Sequence, residues 1–120
     1  MPKKVLIVDD DPTTNALVNF LLKNNGYEAV SASDGDEGLE MAKNENPELI
    51  ILDIGMPKMD GFTFLNELKQ ADLAATPKVI VLTGKAQLEE VFRHEGVADF
   101  LVKPLDSDKF LKKIEECMKG

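Results

Sequence analysis

Short apolar runs alternate along the chain with longer stretches in which apolar residues recur at helical spacing. Five runs, at residues 3–9, 28–33, 48–53, 78–83 and 99–103, predict β-strands. Three of them are nearly continuous in Val, Ile and Leu. Such runs are typical of strands that are buried on both faces of a parallel sheet, where helices cover each side.

The stretches between and after the runs predict five helices, each with an apolar face towards the sheet. Gly26 is placed where a helix C-terminal glycine is expected, and Asp106 or Ser107 is the expected N-cap of the last helix. We expect Phe20, Phe62 and Phe64 to lie mainly in the core. The predicted apolar faces, in chain order, are Ala16, Leu17, Phe20 and Leu21; Leu39 and Ala42; Phe62, Leu65 and Leu68; Leu88, Val91 and Phe92; and Phe110, Leu111, Ile114, Cys117 and Met118.

Five β–α units in 120 residues predict an α/β protein with a five-stranded parallel doubly wound sheet. This is the flavodoxin-like (βα)5 class, formed by residues 1–120 as a single domain. In such sheets ligands bind at the carboxyl ends of the strands, near the point where the strand order reverses. The residues that follow each apolar run are therefore the candidates for function.

Four of the five runs end in polar side chains that could bind a ligand or take part in a reaction. They are Asp9, Asp10 and Asp11 after the first run, Asp53 after the third, Thr83 after the fourth and Lys103 after the fifth. Two unit charges about 4 Å apart repel by on the order of 1 kcal/mol in water and by several times more near a protein surface. Clustered carboxylates therefore need a counter-charge, and Mg²⁺ with its oxygen ligands suits them while leaving room for a phosphate oxygen. The set predicts phosphoryl transfer, in which a carboxylate can be the nucleophile.

The residues that follow two of these acids are typical of tight turns and helix starts. Pro57 and the Asp60-Gly61 pair predict an ordered loop after Asp53, with Asp60 as the cap of the next helix. Such a loop would hold a backbone carbonyl, that of Gly55, towards a metal. Asp11 is interpreted as an N-cap rather than a metal ligand, because proline suits the first helical position that follows it.

The charge and the cysteine count narrow the classes of partner. The formal net charge is −8, and an acidic surface repels phosphate backbones and anionic lipids, so we expect no direct binding to nucleic acid or membrane. Cys117 is the single cysteine, which excludes an internal disulfide and favours a reducing compartment. The apolar run near the N-terminus is too short for a signal peptide core. We therefore expect a cytoplasmic protein.

The strand-end motifs resemble those of the receiver domain of bacterial two-component response regulators, along essentially the whole chain. The resemblance depends on VLIVDDD, ELIILDIGMPKMDG, VIVLTG and DFLVKPL, in that order and near the family's spacing. It implies that Asp53 is the phosphoacceptor. It also implies that Asp10 ligates Mg²⁺ directly, that Asp9 holds a metal-bound water and that the carbonyl of Gly55 completes the protein ligands.

The same resemblance implies a switch and a partner. Thr83 would hydrogen-bond the phosphoryl group, Lys103 would pair with one of its oxygens, and Phe100 matches the aromatic residue that turns inward when the threonine moves. The peptide before Pro104 is usually cis in this family. The phosphoryl donor would be a sensor histidine kinase or a histidine phosphotransfer protein, and the face formed by the fourth helix, fifth strand and fifth helix would contact a downstream protein or an output domain. The domain would assist only its own phosphorylation and dephosphorylation, and so is not expected to be an enzyme.

A phosphatase is the alternative. The stretch VLIVDDDPT is also similar to the first motif of haloacid-dehalogenase-like phosphatases, with Asp9 as nucleophile and Asp11 as general acid. Three features favour the receiver: the chain is short for that fold and has no inserted cap, no acidic pair follows a later strand, and Asp53 with its loop has no role there.

Overall fold

The five predicted strands are present and form one parallel sheet in the order β2-β1-β3-β4-β5. The structure is a computed structural model that describes residues 3–55, 60–73 and 75–119. The central strands are almost entirely buried, as their continuous Val, Ile and Leu composition predicts. The strands are β1 (Lys4–Val8), β2 (Glu28–Ala32), β3 (Leu49–Leu52), β4 (Lys78–Thr83) and β5 (Asp99–Val102).

Helices cover both faces of the sheet, which confirms the doubly wound α/β class. One core lies between the sheet and α1 with α5, and a second lies between the sheet and α2, α3 and α4. The fourth helix is short and follows a 3₁₀ turn at Ala86–Leu88. The helices are α1 (Pro12–Asn24), α2 (Gly35–Glu45), α3 (Gly61–Gln70), α4 (Glu89–His94) and α5 (Ser107–Met118).

The predicted helix ends are confirmed where the structure describes them. Asp11, Asp60 and Asp106 are N-caps whose carboxylates accept backbone N–H groups of the first turn. Gly26 follows α1 with a φ of +85°, a left-handed conformation that favours glycine. The predicted loop around Pro57 lies outside the described residues. The Lys103–Pro104 peptide is cis, as the resemblance implies.

The apolar face predicted for α1 is wrong. Val18 and Leu22 are the buried residues of this helix, whereas Leu17 is 39% exposed and Phe20 is 63% exposed. The helix carries apolar residues around more than half of its circumference, so periodicity does not determine which stripe packs. The stripe that faces the sheet joins the core that α5 also covers, next to Phe110.

The prediction that Phe62 is a core residue is also wrong, because 40% of its surface is exposed. Its ring instead stacks on Phe92 of α4, with the ring centroids 4.2 Å apart and the planes inclined by 25°. Phe64 is fully buried and, with Leu65 and Leu68, forms the inward face of α3.

Gly61, at the start of α3, has no room for a side chain. A Cβ there would lie 2.7 Å from the Cβ of Ile54 and 3.2 Å from its Cα, and backbone cannot yield as a flexible side chain can. We expect Gly61→Ala to lower the free energy of unfolding by about 1–3 kcal/mol, the usual cost of overpacking. Urea denaturation of the two proteins measures this difference.

Gly84→Ala is the matched control, since among the described residues, apart from its chain neighbours, no heavy atom lies within 4 Å of the corresponding Cβ position. Equal stability of the Gly61→Ala protein and the parent would contradict the close contact between α3 and Ile54.

Candidate functional site: an acidic cluster at the carboxyl ends of the strands

The strand order brings the ends of β1 and β3 side by side. Val8 pairs with Leu52 in the parallel ladder, and the N–H of Asp53 donates to the carbonyl of Val8 at 2.9 Å. The next residues along the two strands, Asp9 and Asp53, are therefore neighbours. One carboxylate oxygen from each of Asp9, Asp10 and Asp53 lies within 4.8 Å of the others. The sequence predicted this convergence, although Asp53 lies far from Asp9 and Asp10 along the chain.

Asp9 is buried and firmly held. Its side chain accepts the N–H of Asp11 at 2.9 Å through Oδ1 and the Lys103 ammonium at 3.0 Å through Oδ2. Its own N–H donates to the carbonyl of Ala32 on β2 at 3.1 Å. Burial raises the pKa of the Asp9 carboxyl above its ordinary value, and these hydrogen bonds offset only part of that effect.

Lys103 supplies positive charge to the cluster. Its Nζ lies 3.0 Å from Asp9 Oδ2 and 3.6 Å from Asp53 Oδ2. Burial by itself would lower the pKa of this ammonium, but the hydrogen bond to Asp9 and the charges of Asp53 and Asp9 raise it above its ordinary value. Lys103 is therefore protonated at neutral pH, and its ammonium forms ion pairs with two of the three acids, Asp9 and Asp53.

Asp10 differs from the other two acids. Its side chain is exposed, and within the described residues no hydrogen bond to its carboxylate is present. A carboxylate with open lone pairs beside two buried carboxylates is a donor set of oxygens with excess negative charge. This set fits a hard divalent cation such as Mg²⁺, which takes few protein carboxylates and keeps several waters.

Asp53 is nearly buried, with 8% of its surface exposed. Its Oδ1 accepts the N–H of Gly55 at 3.0 Å, and Oδ2 faces Lys103. A Cβ at Gly55 would lie 3.6 Å from Asp53 Oδ1 and 3.8 Å from Cε of Lys85, which are ordinary van der Waals distances, so these neighbours leave room for a methyl group. The carboxylate is thus oriented by both flanking groups.

Thr83 and Phe100 lie on the same face of the sheet. Phe100 pairs with Val81 on β4, and Thr83 is two residues further along that strand, so its side chain points to the same side. Thr83 is buried, and its Oγ1 accepts the N–H of Lys85 at 3.3 Å. Phe100 is only 5% exposed and packs in the core beneath α4. The two residues predicted to form a switch are therefore close in the sheet.

Asp11 is turned away from this cluster and caps α1. Its carboxylate accepts the N–H of Thr13 at 3.0 Å and the hydroxyl of Thr14 at 2.9 Å. The Thr14 hydroxyl, followed by the Thr13 N–H, lowers the pKa of Asp11 below its ordinary value. A group held as a carboxylate is poorly suited to act as a general acid, which is the role that the phosphatase alternative requires.

Sequence reasoning missed Asn15. Its side-chain amide donates to the carbonyl of Asp9 at 2.5 Å, directly before Asp10. A polar residue in the first turn of a helix that follows strand-end acids is the available signal, but a solvent-facing asparagine gives the same pattern.

The chain is similar to known proteins over nearly its full length. The family model described as the response regulator receiver domain matches residues 5–115. Protein PilH of Pseudomonas aeruginosa is 34% identical over 119 residues, with 98% of each chain covered. Chemotaxis protein CheY of Bacillus subtilis is 36% identical over 121 residues, which cover 98% of this chain and 99% of that protein.

A solved structure with a similar fold contains a metal. The response regulator protein TrrA of Thermotoga maritima, in complex with Mg²⁺ and BeF, matches with a TM-score of 0.86 and 28% sequence identity. The match covers 97% of this chain and 99% of that one. Within the described ranges, no helix is long and apolar enough to cross a membrane.

The raised pKa of Asp9 predicts a pH effect on stability. Because the folded protein keeps this proton to a higher pH than the unfolded chain does, the stability that Asp9 contributes is complete below 3.8 and is lost as pH rises through the folded pKa. An asparagine amide cannot titrate, so the stability of Asp9→Asn relative to the parent should increase as the pH is raised from acidic to neutral. Urea denaturation with a chelator present measures it.

Asp11→Asn provides a control of opposite sign. The lowered pKa of Asp11 contributes stability above 3.8, so this variant should lose stability relative to the parent as pH rises. Parallel pH profiles for the two variants would contradict the assigned environments.

Proposed function

Since this chain belongs to the response regulator receiver domains, we propose that Asp53 is the residue that accepts the phosphoryl group. Domains of this family are regulatory switches that receive phosphoryl groups from histidine kinases. The observation that carries the proposal is the convergence of Asp9, Asp10 and Asp53 within 4.8 Å, with the Lys103 ammonium 3.6 Å from Asp53. The phosphatase alternative is not favoured.

In the proposed reaction the nucleophile, Asp53, lies near two positive charges, the Lys103 ammonium and a bound Mg²⁺. A carboxylate oxygen of Asp53 forms a bond to phosphorus while the P–N bond of the donor phosphohistidine breaks and the imidazole takes up a proton. Lys103 lies beside Asp53 Oδ2, where it would pair with an oxygen of the incoming group. Most of the catalysis then comes from positioning and charge neutralisation. Asp53→Asn removes the nucleophile while preserving its shape.

We assign the metal ligands from the same cluster. Asp10 and Asp53 would hold Mg²⁺ directly, with Asp9 on a bound water and the carbonyl of Gly55 as a further ligand. When bound, Mg²⁺ neutralises charge on the phosphoryl oxygens. Asp10 suits direct ligation because its carboxylate is exposed, whereas both oxygens of Asp9 already accept hydrogen bonds. Three expectations stay predictions: a cytoplasmic location, a sensor histidine kinase or histidine phosphotransfer protein as the donor, and a downstream protein or output domain as the partner.

The output would pass through the sheet. Phosphorylation of Asp53 would draw the Thr83 hydroxyl towards the phosphoryl group and let Phe100 follow, shifting a pre-existing equilibrium between two states of the face of α4, β5 and α5. Support comes from the shared face of Thr83 and Phe100 and from the bond between the N–H of Lys103 and the carbonyl of Thr83 at 2.8 Å.

Labelling with acetyl phosphate tests the acceptor. The parent should gain one phosphoryl group in Mg²⁺ and none with a chelator, and borohydride reduction should convert position 53. Asp53→Asn should abolish this labelling, because no other residue is the nucleophile. Intact-protein and peptide mass spectrometry locate the group.

Asp11→Asn serves as the control for the phosphatase alternative. Asparagine also caps helices, so α1 and the labelling of Asp53 should persist in this variant. Labelling at Asp9, or undiminished labelling of Asp53→Asn, would refute the proposed acceptor.

Beryllofluoride tests the switch. In the parent, backbone amide resonances at Phe100 and Val102 should shift when beryllofluoride and Mg²⁺ are added. In Thr83→Ala they should stay near their unmodified positions, because the hydroxyl that couples Asp53 to β5 is absent. Two-dimensional ¹H–¹⁵N NMR records both.

Shifts at the Gly55 amide, whose N–H donates to Asp53, verify that beryllofluoride has bound in each protein. If Phe100 and Val102 respond alike with and without the threonine hydroxyl, the coupling does not run through Thr83.

A further inference from the structure

Asn15 connects the first turn of α1 to the acidic turn before it, which is formed by Asp9, Asp10 and Asp11. Its backbone N–H donates to the carbonyl of Asp11 at 3.0 Å, as helix geometry requires. Its side-chain Nδ2 reaches back further and donates to the carbonyl of Asp9 at 2.5 Å. We propose that Asn15 is a positioning residue that orients the Asp9–Asp10 peptide and so places the Asp10 carboxylate for Mg²⁺. The inference rests on the proposed function.

The peptide between Asp9 and Asp10 is the point at which position is decided. Asp9 is fixed by β2 through its N–H and by Asp11 and Lys103 through its carboxylate. Asp10 has an exposed side chain, with no hydrogen bond to its carboxylate in the described part of the chain. The direction of its Cα–Cβ bond therefore depends on the plane of the preceding peptide. The carbonyl of Asp9 defines that plane, and Asn15 holds this carbonyl.

The orientation of the Asn15 amide is determined by Asp9. A carbonyl oxygen can only accept, so the NH₂ group and not Oδ1 must face it. Oδ1 is then buried, and within the described residues it has no hydrogen-bond partner. An unsatisfied buried acceptor is unfavourable. Hydrogen bonding by the surroundings therefore does not explain why an asparagine occupies this position. Among the described residues, its side chain makes one hydrogen bond, and that bond is to the carbonyl of Asp9 in the acidic turn.

Asn19 offers a matched comparison one helical turn further along. It is also half-buried on α1, and its Nδ2 lies 3.4 Å from the hydroxyl of Ser31 on β2. It makes no hydrogen bond to the acidic turn. Leucine has nearly the shape of asparagine without its donor, so Asn15→Leu and Asn19→Leu make the same chemical change at a positioning site and at a neutral one.

The experiment measures Mg²⁺ binding by isothermal titration calorimetry in the parent and in both variants. Asn15→Leu should raise the dissociation constant by about tenfold, the lower end of what loss of an outer hydrogen-bond partner does to metal sites. Its melting temperature should stay close to the parent's, because the variant loses one hydrogen bond and also one unsatisfied acceptor. Asn19→Leu should bind Mg²⁺ within twofold of the parent.

Phosphorylation by acetyl phosphate separates positioning from general damage. At Mg²⁺ well above both dissociation constants, Asn15→Leu should be phosphorylated at the parent rate, because Asn15 contacts neither Asp53 nor Lys103. A deficit that persists at high Mg²⁺, or Mg²⁺ affinity within twofold of the parent, would overturn the inference. If leucine is not accommodated and the melting temperature falls, Asn15→Ala removes the same donor with less bulk, and the same limits apply.

The parent titration distinguishes the two levels of proposal. If the parent does not bind Mg²⁺, the proposed function fails. If the parent binds Mg²⁺ and Asn15→Leu binds it equally well, only the role of Asn15 fails.

Discussion

Mutual repulsion of three carboxylates at one end of the sheet is the constraint around which the site is organised. Asp9, Asp10 and Asp53 have oxygens within 4.8 Å of one another, where like charges repel by on the order of several kcal/mol near a protein surface. Lys103 relieves part of this repulsion. The remaining negative charge would favour the divalent cation that the proposed function requires. The cluster therefore keeps excess negative charge in the folded protein.

The strand order explains how one lysine can serve two acids. The ends of β1 and β3 are adjacent because the chain reverses its winding between them, so Asp9 and Asp53 meet directly. The fifth strand lies beyond β4, at the edge of the sheet. Strands are about 4.8 Å apart, so a side chain from β5 must extend across the end of β4 to reach the acids. Lysine has the length to do so, and its stem is partly buried while its ammonium contacts both carboxylates.

The three acids differ in exposure and in hydrogen-bond partners, and these differences match the roles proposed for them. Asp9 is 2% exposed and has hydrogen-bond partners on both carboxylate oxygens, so its side chain is held in one position and anchors the turn. Asp10 is exposed and depends on the turn for its position. Asp53 combines slight exposure with a neighbouring ammonium, which suits a nucleophile. The apolar core beneath these residues stabilises the fold. This stability offsets the cost of holding repelling carboxylates at the strand ends.

The linear sequence determined the strands, the residues that end them and the chemistry these residues share, because runs of Val, Ile and Leu have few other stable arrangements. It also indicated the caps Asp11 and Asp60, whose signals are local. Tertiary structure alone decided which stripe of α1 packs, since this helix is apolar on two sides and its contact with α5 selects Val18 and Leu22. It placed Phe62 against Phe92 instead of in the core. Two hydrogen bonds to Asp9 also depend on the tertiary structure, because no spacing along the chain predicts them. Asn15 donates to its carbonyl, and Lys103 donates to its carboxylate as well as lying near Asp53.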